Sequence, residues 1–357
     1  MSILKTILRK EGHNEASAPK DLLTHLIESM ADSVLVIDKE TLIIASNQKA
    51  YEAFGRGNGP LKGRRLSEVI RDLALHGAVT DSLQATSTSE IEIEFIAGGT
   101  KKYKVTVSPL STENLEAAVI HFRDVTHVDK LERIREEFLS NVSHELRTPL
   151  TSIIAFVETL QDGAVDDVQN RMRFLEVIHR NAERMHRLID DILELSSIES
   201  GNIAMHKQTC RLNAMVGEVF ISAENKAKAS DVSLENNIPI DTTVEADPMR
   251  LEQILVNLID NGVKFNSKGG SVRVSCEERE DPISVIVNDT GEGIAPEHLP
   301  RLFERFYRTD KARSREIGGT GLGLAICKHL ARLHGGEMTV TSVAGQGSTF
   351  RLDLPKH

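Results

Sequence analysis

Two long stretches of the chain repeat apolar residues at steps of three and four among many charged residues. The first runs from Val128 to about Gln161 and the second from about Asp166 to Glu199. Asp162-Gly163-Ala164 interrupts the repeat and Gly201 ends it, because glycine terminates helices readily. The pattern predicts an amphipathic helical hairpin with a coiled-coil seam. A single hairpin cannot bury an apolar stripe along its whole length, so we expect a homodimer whose two hairpins form a four-helix bundle.

This hairpin divides the chain into predicted segments. Residues 1–20 read as an N-terminal extension and linker, 21–127 as a first domain, 128–200 as the coiled-coil linker and hairpin, and 203–357 as a C-terminal domain. Several domains are expected, because 357 residues are too many for one ordinary core.

Charge and composition exclude several classes of protein. The net charge of -10 argues against a direct nucleic-acid partner. The three cysteines lie far apart and predict neither a disulfide framework nor a zinc site. No apolar run approaches the roughly 20 residues of a membrane span, so we predict a cytoplasmic protein. The partly basic segment Met1–Lys10 leaves membrane-surface association open.

The segment 21–127 alternates apolar and polar residues as half-buried strands do. It predicts a hairpin, then helices, then three strands, and therefore an antiparallel sheet with helices on one face. The predicted elements are helices at Asp21–Met30 and Asn47–Phe54, strands at Ser33–Asp38, Leu42–Ser46, Glu90–Phe95, Lys102–Ser108 and Ala117–Arg123, and a turn at Gly98-Gly99.

The segment 203–357 mixes helices with strands. Asp247 is a predicted N-cap, with Pro248 at the first helical position. The predicted helices are Leu212–Ser230, about Met249–Phe265 and Gly321–His334, and the predicted strands are Thr242–Ala246, Ser271–Glu277, Ile283–Asn288, Glu337–Ser342 and Ser348–Leu354.

A chemically suggestive stretch, Ser143–Pro149, lies inside the first helical pattern. His144 has a nitrogen that is nucleophilic near neutral pH, and the adjacent Glu145 can orient the ring and take up its proton. Thr148 follows one helical turn later, and Pro149 removes an amide from the helix. The alternative is a surface histidine beside a static kink, with the Thr148 hydroxyl bonded to the backbone.

Two patches in the C-terminal segment suit a nucleotide. Asn257 and Asn261 share a helix face, where amide oxygens can bind a hard cation such as Mg²⁺, and Lys264 is placed to reach a phosphate. In Asp289-Thr-Gly291-Glu-Gly293 the carboxylate can accept a hydrogen bond from an exocyclic amine. The glycines permit close backbone approach.

Two further patches are rich in glycine. Gly318-Gly319-Thr320-Gly321-Leu322-Gly323-Leu324 opens a helix, whose exposed amides suit phosphate oxygens. No Lys-Ser/Thr pair follows, so this is not a Walker motif. Gly345–Phe350 is the second such patch. Taken singly, paired asparagines are usually solvated and glycine clusters are usually turns.

In this order, the motifs resemble those of the sensor histidine kinases of bacterial two-component signalling, over about Val128 to Leu354. The match comprises the phosphoacceptor box Ser143–Pro149, the N box Asn257–Phe265, the first glycine box Asp289–Gly293, the F box Phe303–Arg308, the second glycine box Gly319–Leu324 and the last glycine motif Gly345–Phe350. Residues 21–127 resemble a PAS sensor domain through Asp32–Asp38 and Asn47–Ala50. The architecture is similar to that of phosphate-regulon sensor kinases, without their N-terminal membrane helices.

The resemblance implies a multidomain protein: an α+β PAS-like domain, a dimeric four-helix bundle and an α/β sandwich of the Bergerat type shared with Hsp90-like ATPases. It implies ATP and Mg²⁺ as cofactors, with Asn261 as the Mg²⁺ ligand, Asn257 assisting it, Lys264 on phosphate and Asp289 on adenine. It also implies that the nucleotide site is completed by residues of the F box and the glycine boxes. These residues are Tyr307, Arg308, Gly291, Gly293, Gly319, Thr320, Gly321, Leu322, Gly323 and Thr349. Residues from about Arg308 to Gly318 would form a mobile lid.

The implied reaction is ATP-dependent phosphorylation of His144, followed by transfer to an aspartate of a response regulator. Thr148 is placed to hold an attacking water, so we also expect regulator phosphatase activity. The competing hypotheses are an ATPase without phosphohistidine and a non-enzymatic dimeric scaffold whose glycine patches are turns.

The sequence supports no particular PAS cofactor. All three cysteines lie beyond residue 209, which excludes thiol-based flavin photochemistry in that domain. His25, His76 and His121 are the potential haem ligands, but isolated histidines in a small domain are far more often ordinary core or surface residues.

Overall fold

Two compact units make up the chain, Met1–Glu137 and Phe138–His357. The computed structural model describes residues 25–55, 59–85, 87–96, 99–112, 115–278, 282–309 and 319–355. The N-terminal segment 1–20, the start of the predicted Asp21–Met30 helix and Gly98 of the predicted turn lie outside these residues. Among the described helices, none is long and apolar enough to cross a bilayer.

The first unit contains a five-stranded antiparallel sheet. Its spatial order is β2-β1-β5-β4-β3. The strands are β1 (Ser33–Asp38), β2 (Ile43–Ser46), β3 (Ser89–Ile96), β4 (Thr100–Thr112) and β5 (Leu115–Asp124). Between β2 and β3 lie α1 (Gln48–Phe54), α2 (Leu66–Val69) and α3 (Leu73–Ala85). The predicted antiparallel sheet is confirmed.

The core of this unit is apolar and aromatic. Phe54 at the end of α1 lies at its centre, with its ring 4.8 Å from that of Phe122 and 5.1 Å from that of Phe95. Edge-on and tilted ring pairs at such distances add to the stabilisation from burial alone. The first unit therefore has a filled core between its sheet and helices.

The hairpin predicted from the apolar repeat consists of α4 (Thr126–Gln161) and α5 (Val168–Glu199). Gly163 has a φ of 111°, in the region that favours glycine, and a short 3₁₀ turn follows it. Asp167 then caps α5 by accepting hydrogen bonds from the backbone of Gln169 and Asn170. The turn therefore forms where the apolar repeat is interrupted.

The rest of the second unit is a two-layer α/β domain. One sheet has the order β11-β12-β10-β9-β7, and a small sheet pairs β6 with β8. The strands are β6 (Gln208–Arg211), β7 (Ser233–Asn237), β8 (Thr243–Ala246), β9 (Ser271–Glu278), β10 (Ile283–Asp289), β11 (Glu337–Val343) and β12 (Gly347–Leu354). The helices are α6 (Leu212–Ser230), α7 (Pro248–Lys264) and α8 (Gly323–Leu333). The predicted α/β sandwich is confirmed.

Strands β6 and β7 were absent from the sequence prediction, because both are short and largely polar. β7 pairs with β9 in parallel, while the other described pairs of its sheet are antiparallel. The predicted helix beginning at Gly321 starts at Gly323, because Gly321 has a φ of 74° and Leu322 serves as N-cap.

Candidate nucleotide site and phosphoacceptor

Helix α7 places the predicted N-box residues at the edge of the buried core. Asp247 caps the helix by accepting a hydrogen bond from the Arg250 amide. One face of α7 is fully buried, so the rotation of the helix about its axis is fixed by packing. That buried face contains Leu251, Ile254, Leu255, Leu258 and Ile259.

Asn257 and Asn261 lie half-buried, one turn apart. Asn257 donates a hydrogen bond to the Gln253 carbonyl at 3.2 Å, and its Oδ1 accepts no hydrogen bond from the described residues. The Asn261 amide makes no side-chain hydrogen bond with the described part of the chain. A half-buried amide without a protein partner is suited to a cation or to a coordinated water, since Mg²⁺ prefers oxygen ligands. The donor set therefore fits the predicted magnesium site.

Lys264 ends α7 beside the second glycine box. Burial, with the positive charges of Arg308 and Arg187, lowers the pKa of Lys264 from its usual range to about 8. A Cβ built at Gly319 would lie 3.0 Å from Lys264 Nζ. The positive charges around Lys264 favour an anionic ligand such as a phosphate group.

Asp289 is a buried carboxylate at the end of β10. Its Oδ1 accepts hydrogen bonds from the amides of Gly291 at 2.9 Å and Ser348 at 3.2 Å. Burial raises the pKa of Asp289, and these two hydrogen bonds oppose the shift. Its Oδ2 accepts no hydrogen bond from the described residues, so it is the atom placed to read a ligand donor.

At two positions of the predicted boxes the structure has no room for a side chain, so only glycine fits. Gly293 has a φ of 68°, and a Cβ there would lie 2.0 Å from the Val343 carbonyl oxygen. A Cβ at Gly323 would lie 2.5 Å from Asn257 Oδ1. Gly323 therefore allows the start of α8 to approach the N-box amide directly, which brings two boxes into contact.

The second glycine box is fixed on both sides. The Phe306 amide donates to the Gly321 carbonyl at 2.9 Å, and Leu322 is fully buried. Thr320 Oγ1 donates to Asp191 Oδ2 of α5 at 2.6 Å and accepts from the Leu322 amide. In this arrangement the predicted nucleotide residue Thr320 is held by the hairpin.

Three more predicted site residues have protein partners. Thr349 Oγ1 accepts a hydrogen bond from the Asn288 amide at 2.8 Å. The Tyr307 hydroxyl lies 2.7 Å from His298 Nδ1, and its ring packs beneath Arg301. Arg308 is largely buried and approaches Glu145. Of the predicted lid, residues 310–318 lie outside the described residues.

His144 is exposed on α4, and its ring makes no hydrogen bond with the described residues. Glu145 instead pairs with Arg184 of α5, at 2.8 Å, and lies 3.8 Å from Arg308. Thr148 is exposed, and its hydroxyl donates to the His144 carbonyl at 3.2 Å. Of the two alternatives for Thr148, its hydroxyl adopts the backbone-bonded one here, and Glu145 does not contact the ring it was predicted to orient.

Polar residues on α5 join the site although sequence reasoning missed them. Arg184, Arg187, Asp191 and Glu194 follow one another at steps of three, four and three, which places them on one helix face. Arg184 contacts Glu145, Asp191 contacts Thr320, and Glu194 pairs with Arg250 at 2.5 Å. The periodicity was available in the sequence, but it resembles that of an ordinary solvated face.

Three family models match the chain in order. Residues 27–130 match a model described as PAS fold, 134–201 the His Kinase A (phospho-acceptor) domain, and 246–357 the histidine kinase-, DNA gyrase B- and HSP90-like ATPase. The sensor protein SrrB of Staphylococcus aureus is 31% identical over 350 residues, which are 97% of this chain and 58% of that protein.

Solved structures share the fold. The histidine kinase ThkA, in complex with the response regulator protein TrrA, has 24% identity and a TM-score of 0.52, covering 93% of this chain and 98% of that one. The Acinetobacter baumannii histidine kinase AdeS has 24% identity and a TM-score of 0.50, covering 60% and 98%. At these identities the likeness concerns the fold alone.

Proposed function

Since the chain belongs to the sensor histidine kinases of two-component signalling, we propose that it transfers the γ-phosphoryl group of ATP to His144 and then to a response-regulator aspartate. The observation that carries the proposal is the convergence of Asn257, Gly323 and Lys264 around one edge of α7, with Asp289 nearby on β10. These residues come from distant sequence boxes and supply the amides, cation and carboxylate that a nucleotide requires.

The phosphates would meet several basic side chains. The positive charges of Arg308, Arg187 and Arg184 act on Lys264, opposed by the carboxylate of Asp260, and two of these arginines lie on the hairpin helix α5. Phosphoryl transfer depends mainly on positioning and charge neutralisation rather than on covalent chemistry by the protein. These side chains would therefore hold the transferring group beside the hairpin, whose other helix, α4, contains His144.

Glu145 is proposed to change partners during the reaction. Its carboxylate is held by Arg184 and approached by Arg308, the same guanidinium groups that a γ-phosphate would attract. Competition for these groups would release Glu145 to bind the neighbouring His144 ring and take up its proton. The neutral ring nitrogen attacks phosphorus, and ADP leaves.

Magnesium fits this proposal through the Asn261 amide, with Asn257 assisting it. When bound, the ion neutralises charge on the phosphate oxygens. The Asn257 amide also lies against the glycine box at Gly323, so it would orient the start of α8 as well as the ligand.

Radiolabelled ATP tests the proposal directly. We expect His144→Gln to abolish labelling of the protein and Asn261→Ala to reduce it by at least about a hundredfold, because Mg²⁺-dependent positioning supplies most of the rate. His179→Gln is the matched control, an exposed histidine on α5 that should label normally. Persistent label on the His144→Gln protein would rule out the assignment, as would normal labelling of Asn261→Ala.

Regulator phosphatase activity is a second proposal, supported by the exposure of the Thr148 hydroxyl one turn from His144. Its donated hydrogen bond to the backbone leaves the oxygen able to accept one from a water. Thr148→Ala should slow release of phosphate from a regulator phosphorylated by this protein, while autophosphorylation continues. Thr151→Ala removes a hydroxyl bonded to the backbone in the same way and should leave both activities unchanged.

Dimerisation through the hairpin is proposed because large apolar side chains on both helices remain exposed. They include Leu150, Ile154 and Val157 on α4 and Met172, Leu175 and Leu193 on α5. A second copy would bury them, as expected for a four-helix bundle. Sedimentation should report a dimer, and Ile154→Glu should shift it towards monomer. The solved complex of ThkA with TrrA supports a receiver domain as the further partner.

A further inference from the structure

A fully buried histidine lies at the C-terminal end of α8. His334 Nε2 is 3.1 Å from the Asp247 amide, and Nδ1 is 2.8 Å from the Leu330 carbonyl oxygen. An amide can only donate and a carbonyl can only accept, so Nε2 accepts and Nδ1 carries the proton. The geometry therefore requires neutral His334 in one tautomer.

The partner of His334 is the cap of the N-box helix. Asp247 Oδ1 accepts from the Arg250 amide, while Oδ2 accepts from the His206 amide at 2.9 Å. Lys207 Nζ donates to the His334 carbonyl at 2.8 Å. The chain segment between α5 and β6 is thus attached to the same point as the start of α7 and the end of α8.

Helices α7 and α8 run antiparallel, with contacts at three levels. Asp247 meets His334 at one end, Cys327 Sγ lies 4.0 Å from the Ile254 carbonyl between them, and Gly323 meets Asn257 at the other end. Asn257 is ten residues beyond Asp247, so the histidine acts about 15 Å away along the helix. Sliding of α7 at the His334 end would displace Asn257 from the glycine box.

We propose that His334 is a positioning residue for the nucleotide site: its acceptor nitrogen fixes α7 against α8 and so holds Asn257 and Asn261 in place. The inference relies on the proposed function only in assigning ATP to that site. His334 itself reaches neither nucleotide nor metal. Loss of its acceptor function therefore weakens ATP binding through helix placement.

Protonation of His334 at Nε2 removes the acceptor. Burial lowers the pKa of His334, as does the positive charge of Lys207, while the Leu330 carbonyl and Asp247 oppose the shift. Lys207 and Asp247 are the charged groups that face the ring from the neighbouring elements. Protonated Nε2 would point a hydrogen at the Asp247 N–H.

The sign of the pH effect follows from the lowered pKa. The folded protein binds this proton less readily than the unfolded chain does. The contribution of His334 to stability is therefore complete above the ordinary histidine pKa of about 6.5 and is lost as the pH falls below it. ATP affinity depends on the folded protein alone, so it should weaken at the acid end of this range, as the pH falls through the lowered pKa of His334.

Two near-isosteric variants separate the two ring nitrogens. His334→Gln places an oxygen near the position of Nε2, keeps the acceptor for Asp247 and does not titrate. His334→Asn places its amide near Nδ1, keeps the donor to Leu330 and loses the acceptor. If His334 only filled space, the two variants should have similar ATP affinity and similar amide exchange in α7. The positioning role predicts that only the Asn variant loses affinity and exchanges faster.

The experiment measures Mg-ATP affinity of the full chain and amide exchange in residues 247–258, from pH 7.5 down to the lowest pH at which the wild type remains folded. At pH 7.5 we expect the His334→Gln protein to bind Mg-ATP within about threefold of wild type. The His334→Asn protein should bind about tenfold more weakly and exchange its α7 amides faster, as for loss of one buried hydrogen bond. On acidification, wild-type affinity should fall more than that of Gln. Titration of the ligand phosphates is common to all proteins and cancels in this comparison.

Wild-type affinity and exchange in a folded Asn variant would overturn the proposal, as would an identical acid response in Gln and wild type. If the His334→Asn protein does not fold, the proposal is decided by whether ATP affinity falls more on acidification in wild type than in the His334→Gln protein. If wild type itself does not bind Mg-ATP, the proposed function fails, while amide exchange still tests whether His334 positions α7.

Discussion

The two five-stranded sheets of this chain bury polar side chains in opposite ways. In the first unit, Asn47 is buried and uses its whole amide: Oδ1 accepts from Val34 and Ala50, and Nδ2 donates to the carbonyls of Ile27 and Asp32. In the second unit, Asp289 is buried, but only one of its oxygens is used. Buried polar groups destabilise unless they are paired, so the cost of burial is offset at Asn47 and only partly offset at Asp289.

This contrast distinguishes a structural polar residue from one reserved for a ligand. Asn47 joins the helix cap, strand β1 and the segment before it, and all of its hydrogen-bonding capacity is spent within the protein. Asp289 and Asn261 keep atoms without a partner among the described residues. Substitution should therefore reduce stability in the first unit and ligand binding in the second.

The largest expected effect is on the first unit. Asn47→Ala should lower its free energy of unfolding by about 3 kcal/mol or more, because several buried backbone groups lose their partner at once. Hydrogen exchange of β1 in the intact chain measures the loss. Lys49→Ala, an exposed change in the same helix, should have little effect. Equal stability of the Asn47→Ala and Lys49→Ala proteins would contradict the comparison.

Asp289→Asn should reduce ATP binding without reducing stability. ATP affinity should fall by more than about tenfold, because an amide NH₂ would replace the free acceptor, while Oδ1 can still bind the two backbone amides. A carboxyl with a raised folded-state pKa destabilises the fold as pH rises through that pKa, so the neutral variant should be at least as stable as wild type at pH 7. Calorimetric titration and thermal unfolding check both signs. A variant that loses stability while binding ATP normally would reverse our assignment.

Lys264 provides a pH test. With a pKa near 8 before ATP binds, the Lys264 ammonium loses its charge between pH 7 and 9, so ATP affinity should fall by about tenfold over that range. Lys264→Met should bind more weakly but with a flatter pH dependence. Lys268→Met is the control, since that side chain is exposed beyond the helix. The same slope in wild type and Lys264→Met would remove Lys264 from the phosphate site.

The smallest effect concerns the hairpin contact with the glycine box. Asp191→Ala should strengthen ATP binding by about fivefold, because Thr320 would no longer be held by α5. Burial raises the pKa of Asp191, so the effect should diminish in acid, when the wild-type carboxyl is protonated. Asp190→Ala, which removes an exposed partner of His186, is the matched control. Equal ATP affinities for the two variants would show that the contact does not restrain Thr320.

Sequence patterns predicted most of the fold because its elements repeat apolar residues at clear periods. The hairpin helices and the capped helix after Asp247 are of this kind. The polar strand β7 was missed because its residues, Ser233–Asn237, lack such alternation and pair through the backbone. Periodicity cannot report an element whose stability comes from its neighbours.

Local spacing was enough to place the predicted site residues on shared elements, but it could not predict which residues far apart in sequence contact one another. The N-box spacing identified Asn257, Asn261 and Lys264 as residues of one helix face. No local rule could pair Thr320 with Asp191 or Glu145 with Arg184, since these pairs join segments far apart in sequence. The buried role of His334 was equally invisible, because its partner is 87 residues away.

The account is tested most directly by the chemistry of the label that γ-labelled Mg-ATP leaves on the full chain. We predict a single phosphoryl group on His144, labile in acid and stable in base, in the peptide that contains Ser143–Pro149. An acid-stable phosphoester on Ser143 or Thr148, or hydrolysis of ATP without label on the protein, would contradict it.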